Sequence, residues 1–109
     1  MDLFEELQIK INELNISIKS LRKTGTEYAE AERAYKVCLR EHALRCRAEE
    51  DMPVTLIQQT VYGIKEVAEK RFIRDVAEAV YKANQEAINS IKLQIRIIEN
   101  QLQREYSNN

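Results

Sequence analysis

The fold is decided by residues 4–21, which read FEELQIKINELNISIKSL and carry apolar side chains at alternating spacings of three and four residues. The members of this series are Phe4, Leu7, Ile11, Leu14, Ile18 and Leu21. Such a repeat places one apolar seam along a helix and is typical of helices that pack as coiled coils. The first arm of the chain, about residues 2–50, is therefore predicted to be a long amphipathic helix.

The pattern continues beyond Gly25 towards the middle of the chain. The later seam residues are Tyr28, Ala31, Tyr35, Cys38 or Leu39, His42 and Cys46. Gly25 itself falls at a seam position, where it either separates two helices or permits close approach inside one. Because a single glycine costs only about 1 kcal/mol in a helix, we expect one bent helix. Asp2 and Glu5 have the spacing of a capping box at its start.

A second arm, from about residue 64 to residue 106, repeats the apolar pattern. Its predicted seam consists of Ile73, Ala77, Val80, Asn84, Ile88, Ile91, Ile95, Ile98 and Leu102. The two four-residue steps around Asn84 form a stutter, which relaxes a supercoil locally. Asn84 either fixes the register, as seam asparagines do in coiled coils, or is turned to the surface by the stutter.

The two arms match in length if the chain folds back near residue 55, so that facing positions sum to about 110. The expected neighbours are Phe4 with Tyr106, Leu21 with Ile88 or Asn89, Gly25 with Asn84 or Gln85, and Cys46 with Ile64. Two heptad segments of equal length at opposite ends of a chain are hard to explain unless they touch. We therefore predict an all-α fold, an antiparallel coiled-coil-like helical hairpin, in a single domain over residues 1–109.

The connector between the arms is predicted over residues 51–63. Pro53 disfavours a helical conformation at the residue before it, so the first arm should end there. Thr55 is a plausible N-cap for a short helical turn from Leu56 to Val61. Tyr62 and Gly63 then end this turn, with the glycine at the C′ position.

The composition supports long helices and excludes several other classes. Only two glycines and one proline occur, while 32% of the residues are charged, which disfavours sandwich, barrel and βαβ folds. The net charge of −1 argues against a protein that coats DNA. No run of 18 apolar residues and no basic, apolar leader is present, so we expect neither a membrane span nor secretion. A hairpin of this length buries a small core, and we expect another copy or a partner to cover the remaining apolar surface.

Cys38, His42 and Cys46 form a stripe at four-residue spacing on the first helix. Three ligands spread over two turns cannot all reach one ion, and nothing in the sequence supplies an oxyanion hole for a Cys–His pair. The cysteines also lie too far apart along the helix, at about 12 Å, for a disulfide. We therefore expect free thiols in a reducing cytoplasm, no metal, no cofactor and no enzymatic activity.

Basic residues concentrate at the connector end of the predicted hairpin, where aromatic and hydroxyl side chains accompany them. The candidate ligand-binding residues are Arg33, Lys36, Arg40, Arg47, Thr55, Tyr62, Lys65, Arg71 and Arg74. Arg33, Arg40 and Arg47 recur every seven residues and so share one helix face. These side chains are either a solvated face paired with nearby glutamates or a binding site for an anion or an acidic partner.

Residues 55–73 also imitate a helix-turn-helix, with a short helix, Gly63 and a longer amphipathic helix. Against this reading, Glu66 and Glu69 occupy the first turns of the would-be recognition helix, where they would repel phosphates. The second arm is also far longer than a compact trihelical unit allows. DNA recognition is therefore the less favoured interpretation.

Seven stretches of the chain stand out together: Tyr28–Glu32, Tyr35–Lys36, Asp51–Thr55, Tyr62–Gly63, Arg71–Asp75, Tyr81–Asn89 and Gln103–Tyr106. In these stretches the chain resembles small, mostly uncharacterised all-helical proteins encoded by phages and prophages of Gram-positive bacteria. The resemblance implies an origin in a bacterial host and carries no functional residues. It also makes two roles more plausible, an accessory of phage replication or recombination and a counter-defence protein that occupies a host factor or sequesters a signalling molecule.

The leading hypothesis from the sequence is a non-enzymatic binding protein, a homo-oligomer of helical hairpins. It would hold a partner protein or a small anionic, nucleotide-like ligand near the basic connector end. The first alternative is a nucleic-acid-associated accessory protein, and the second is a structural coiled-coil spacer.

Overall fold

The computed structural model describes residues 1–108, which form three helices and no strand. Helix α1 spans Leu3–Glu50, helix α2 spans Val54–Val61 and helix α3 spans Lys65–Ser107. The two long helices pack against each other, with the short helix between them in the chain. The predicted all-α helical hairpin is confirmed.

Helix α1 runs without a break through Gly25, so the expectation of a single first helix is confirmed. It begins as the capping spacing predicts, because the Glu5 backbone N–H donates to Asp2 Oδ1 at 2.8 Å. It ends at Glu50, and the next residue, Asp51, has a φ of +48° in the left-handed region. The Met52 N–H then donates to the Cys46 carbonyl at 3.2 Å, which satisfies one of the last carbonyls of the helix.

The start of α2 differs from the sequence prediction. Pro53 is the N-cap residue and no side chain caps the helix, so the assignment of Thr55 as N-cap was wrong. Proline fixes a φ suited to a helix start and lacks the N–H that would otherwise need a partner, so the helix begins earlier. Gly63 follows the C-cap Tyr62 as predicted, but its φ is not positive, and its N–H bonds to the Thr60 carbonyl.

The described chain forms two compact units, of which the first contains residues 1–24 and the part of α3 from Tyr81 onwards. Ile88 and Ile98 are its most buried side chains. The other packed seam residues are half-buried: Leu7, Ile11, Leu14, Leu21, Ile91, Ile95 and Leu102. Phe4 and Tyr106 meet edge to face, with ring centroids 6.4 Å apart, which confirms the predicted register in this unit.

Asn84 faces inwards in the first unit. Its amide Nδ2 donates to the Ser17 carbonyl at 3.0 Å, and its Oδ1 accepts a hydrogen bond from the Thr24 hydroxyl at 2.9 Å. Of the two readings of this residue, the structure therefore supports an inward position. Ile18, predicted on the seam, is instead exposed, while the neighbouring Ser17 is half-buried.

The second unit contains residues 25–80 and two small apolar clusters. One is built from Tyr35, Cys38 and Val67, with Leu39 and Ile64 against it. The other is built from Cys46, Ile57 and Val61, and Ile64 also packs there, as the register predicted. The buried face of α2 therefore packs against α1 at the connector end of the hairpin.

The predicted seam of α3 was wrong at Ile73 and Val80, which are exposed. The side chains of α3 that are buried or half-buried in this unit are Val67, Lys70, Arg74, Ala77 and Glu78, and Ile64, just before the helix, is half-buried as well. Arg74 lies on the side of α3 that faces α1, 3.5 Å from Glu32 and with its guanidinium 4.6 Å from the centre of the Tyr35 ring. Ile73 and Val80 consequently lie on the outer side of the helix.

Candidate functional site

Three of the predicted basic residues lie exposed along α1. Arg33 and Arg40 extend into solvent, and Lys36 pairs with Glu32 at 3.9 Å. Surface pairs of this kind contribute little to stability. These three side chains therefore remain available to a partner.

Two other predicted site residues are occupied by contacts within the hairpin. The Arg47 guanidinium donates to the Met52 carbonyl at 3.1 Å and so fixes the turn that follows α1. Arg74 bonds Asp75 at 2.7 Å and Glu32 at 3.5 Å, and its guanidinium lies 4.6 Å from the centre of the Tyr35 ring. The hydrogen bond to Asp75 is the main cause of a rise in the pKa of Arg74 above its ordinary value. Arg47 and Arg74 therefore make contacts within the folded chain.

The remaining predicted residues lie around the connector. The Arg71 guanidinium stands 5.6 Å from the centre of the exposed Tyr62 ring, so the structure brings these two together. Thr55 is exposed on α2, and Lys65 is exposed at the start of α3. The nine predicted residues thus spread over several surfaces, and Glu32, which the sequence did not single out, links Lys36 to Arg74.

A second cluster, Cys38, His42 and Glu66, joins α1 to α3. The His42 Nε2 and Glu66 Oε2 atoms lie 2.9 Å apart, and the Cys38 thiol lies beside them. One potential ligand atom from each of the three side chains lies within 4.8 Å of the others. Cys38 is buried, the His42 side chain is 13% exposed and that of Glu66 is 61% exposed. The cluster therefore has a buried end and an open end.

The electrostatics of this cluster favour an ionised Glu66 and a neutral thiol. The hydrogen bond from His42 is the main cause of the lowered pKa of Glu66. Burial, with the nearby Glu66 and Glu41 charges, raises the pKa of the Cys38 thiol, while Lys70 opposes this. A protonated thiol is a poor nucleophile.

An exposed apolar stripe forms the outer side of α3 in the second unit. Phe72, Ile73, Val76 and Val80 are between 47% and 69% exposed. Their spacing places them on one side of the helix. Shallow grooves run along this stripe, one of them lined also by Ala31 and Glu27 of α1. Phe72, Ile73, Val76 and Val80 together make up the apolar stripe.

Comparison of the chain with known protein families, with curated proteins and with solved structures found no match. Within residues 1–108, none of the helices has the length and the apolar character needed to cross a lipid bilayer.

Glu66 is the functional candidate that the sequence reasoning missed. The register that pairs Phe4 with Tyr106, in which facing positions sum to 110, places residue 66 opposite residue 44. Applied to His42 it gives residue 68, an alanine, so Glu66 is found only if the search extends one helical turn to either side. A search confined to one helix cannot find such a residue.

Proposed function

We propose that this protein is a non-enzymatic binding protein that works as a homodimer of helical hairpins. The apolar stripe of α3 would form the contact between copies, and the exposed basic side chains of α1 would hold an acidic protein surface. The observation that carries this proposal is the inverted placement on α3, where Ile73 and Val80 are exposed while Arg74 packs against α1.

A second copy of the chain is the best-supported occupant of the apolar stripe. Residues at positions 72, 73, 76 and 80 have the spacing of a coiled-coil contact, and a two-fold axis near Val76 would set Phe72 of one copy against Val80 of the other. The apolar stripe of each copy then covers that of the other, and no other part of the chain is needed for the contact. The stripe is thus suited to self-association.

The exposed area of the chain supports the same assignment. The accessible surface is 8186 Å², whereas a compact monomer of 12.8 kDa is expected to expose about 6,300 Å². A protein–protein interface of standard size covers about 800 Å² on each partner. The chain thus exposes about 1,900 Å² more surface than such a monomer, which supports a covering partner without locating the contact.

The spacing of the basic residues favours an extended partner over a small anion. Arg33 and Arg40 lie seven residues apart on α1, which corresponds to about 10.5 Å along a helix. This separation matches carboxylates distributed along an acidic protein surface. The net charge of −1 disfavours nucleic acid as that partner. A host protein would agree with the resemblance to phage-encoded proteins.

The proposal of a non-enzymatic role follows from the chemistry of the Cys38 cluster. The thiol is buried, its pKa is raised, and the charge of the nearby Glu66 carboxylate contributes to that rise. Covalent catalysis by cysteine requires a thiolate beside a base and donors for the oxyanion.

The assembly is tested by an Ile73→Glu/Val76→Glu double variant, with Val37→Glu as the matched control on exposed α1 surface. Glutamate is a better helix former than either residue it replaces, so the helices should persist. Light scattering should give the monomer mass for the double variant and the dimer mass for the control. Equal masses for the two variants would place the contact elsewhere.

The acidic partner is tested with a labelled polyglutamate peptide, using double-stranded DNA of equal charge for comparison. Fluorescence anisotropy should show peptide binding that an Arg33→Glu/Arg40→Glu variant weakens at least tenfold. A Lys92→Glu/Arg96→Glu variant, which makes the same charge change outside the proposed face, is the control. Tighter binding of DNA than of the peptide would favour the nucleic-acid accessory role instead.

A further inference from the structure

We propose that Cys38, His42 and Glu66 form a binding site for a divalent transition-metal ion of the zinc type, which links α1 to α3. The site is independent of the proposed dimer and of the basic face. It contrasts with the expectation from sequence that the chain holds no metal, because Glu66 supplies a ligand that the α1 stripe lacks.

The geometry of the three side chains suits one ion. Cys38 and His42 are one helical turn apart on the same side of α1, and Glu66 approaches them from the first turn of α3. Ligands around a tetrahedral zinc ion lie about 3.3–3.6 Å from one another, given Zn–N, Zn–O and Zn–S distances of about 2.0–2.3 Å. The observed separations, from 2.9 Å for the His42–Glu66 pair up to the 4.8 Å limit, bracket these values. Side-chain adjustments of about 1 Å would bring all three atoms onto one ion.

The ligand types also fit zinc in chemistry and in charge. A thiolate, an imidazole and a carboxylate are the three side-chain donors that zinc uses. Together they carry a charge of −2 once the thiol has lost its proton, which balances a divalent cation. On binding, the Cys38 thiol proton passes to solvent, His42 takes the tautomer with its proton on Nδ1 so that Nε2 is free, and the His42–Glu66 hydrogen bond is replaced by two metal–ligand bonds.

The surroundings give the site a dry side and an open side. Tyr35 and Val67 pack with Cys38 and shield the sulfur from water. Glu66 is largely exposed, which leaves room for water as a fourth ligand. The two charges that act on the sulfur from outside the ligand set, Lys70 and Glu41, have opposite signs.

The alternative is that the three side chains form only a hydrogen-bonded contact between the helices. In that case zinc would not stabilise the fold, and the cluster would have no special affinity for soft cations. The two readings predict opposite results when Zn²⁺ is added to metal-free protein and its stability is measured.

The test uses the full chain after treatment with a chelator and its removal. Zn²⁺ at about 100 times its dissociation constant should raise the unfolding midpoint by about 10 °C. Co²⁺ should bind one ion per chain and give a sulfur-to-cobalt charge-transfer band, which reports a thiolate ligand directly. Cys38→Ser should abolish this band, and His42→Gln and Glu66→Gln should each weaken Zn²⁺ binding at least tenfold.

Cys46→Ala is the matched control because Cys46 is the other buried thiol on the same side of α1 and lies in a different apolar cluster. It should keep both the charge-transfer band and the affinity, while far-UV circular dichroism verifies the helical content of every variant. A cobalt spectrum without the thiolate band, or a band that survives in Cys38→Ser, would overturn the proposal. An unchanged midpoint in Zn²⁺ would do the same.

Discussion

The amide of Asn84 on α3 donates a hydrogen bond to the backbone carbonyl of Ser17 on α1 at 3.0 Å. Its carbonyl oxygen accepts from the Thr24 hydroxyl, so one polar side chain ties two turns of the opposite helix. A slip of α3 along α1 would break both bonds. Asn84 therefore selects one register in the first unit.

Replacing Asn84 by alanine should lower the free energy of unfolding by about 1–2 kcal/mol, because two half-buried hydrogen bonds are lost. Asn84→Leu should recover much of this stability through apolar packing but allow more than one register or assembly state. Urea unfolding at fixed protein concentration measures the first effect and light scattering the second. Asn89→Ala, at an exposed position of α3, should change stability by less than about 0.5 kcal/mol.

The turns around α2 give a second prediction, because the left-handed residue is Asp51 and not Gly63. Asp51→Gly should raise the free energy of unfolding by about 0.5–1 kcal/mol by removing the steric cost of positive φ. Gly63→Ala should be neutral or slightly stabilising, since the added Cβ would meet only the Thr60 carbonyl oxygen at 3.6 Å. A clear loss of stability in both variants by urea unfolding would contradict these turn assignments.

Arg74 and Arg33 should behave differently although both belong to the predicted basic set. Arg74→Ala removes two ion pairs and the contact with the Tyr35 ring, and should cost about 1–3 kcal/mol of unfolding free energy. Arg33→Ala, at an exposed position, should cost less than about 0.5 kcal/mol. Chemical unfolding of the two variants decides which arginines serve the fold. Equal costs would contradict the division between structural and available side chains.

Much of the first unit could be predicted from the sequence, because the heptad seam and the equal arm lengths determine which residues face each other. The second unit could not be read in the same way. Apolar residues such as Ile73 and Val80 have identical spacing whether they face the partner helix or a second copy of the chain. The choice depends on Glu32 and Tyr35, which hold Arg74 inside, and a pattern of apolar positions does not contain that information.

The candidate sites, like the second unit, could be predicted only in part from the sequence. The exposed positions of Arg33 and Arg40 follow from helical periodicity alone. The roles of Arg47 and Arg74 depend on the Met52 carbonyl and on Glu32, which only the folded chain brings near. The contribution of Glu66 required a register accurate to one helical turn.

The His42–Glu66 pair should make stability depend on pH in metal-free protein. The pKa of Glu66 is lowered in the folded state, so its contribution is present above the unfolded pKa and is lost as pH falls through the folded pKa. Glu66→Gln should therefore be less stable than the wild type at pH 6 and lose less stability between about pH 4.5 and pH 3. Urea unfolding in a chelator measures this, with Glu99→Gln as the control. If the free energy of unfolding of the wild type and of Glu66→Gln changed in parallel with pH, Glu66 would make no pH-dependent contribution to stability.

The pairing of hairpins through the apolar stripe underlies the proposed function. Sedimentation equilibrium of the wild-type chain over a wide range of micromolar concentrations measures this pairing. We expect a mass of about 25.6 kDa, twice the chain mass of 12.8 kDa. A mass of 12.8 kDa at every concentration would show that the hairpins do not pair.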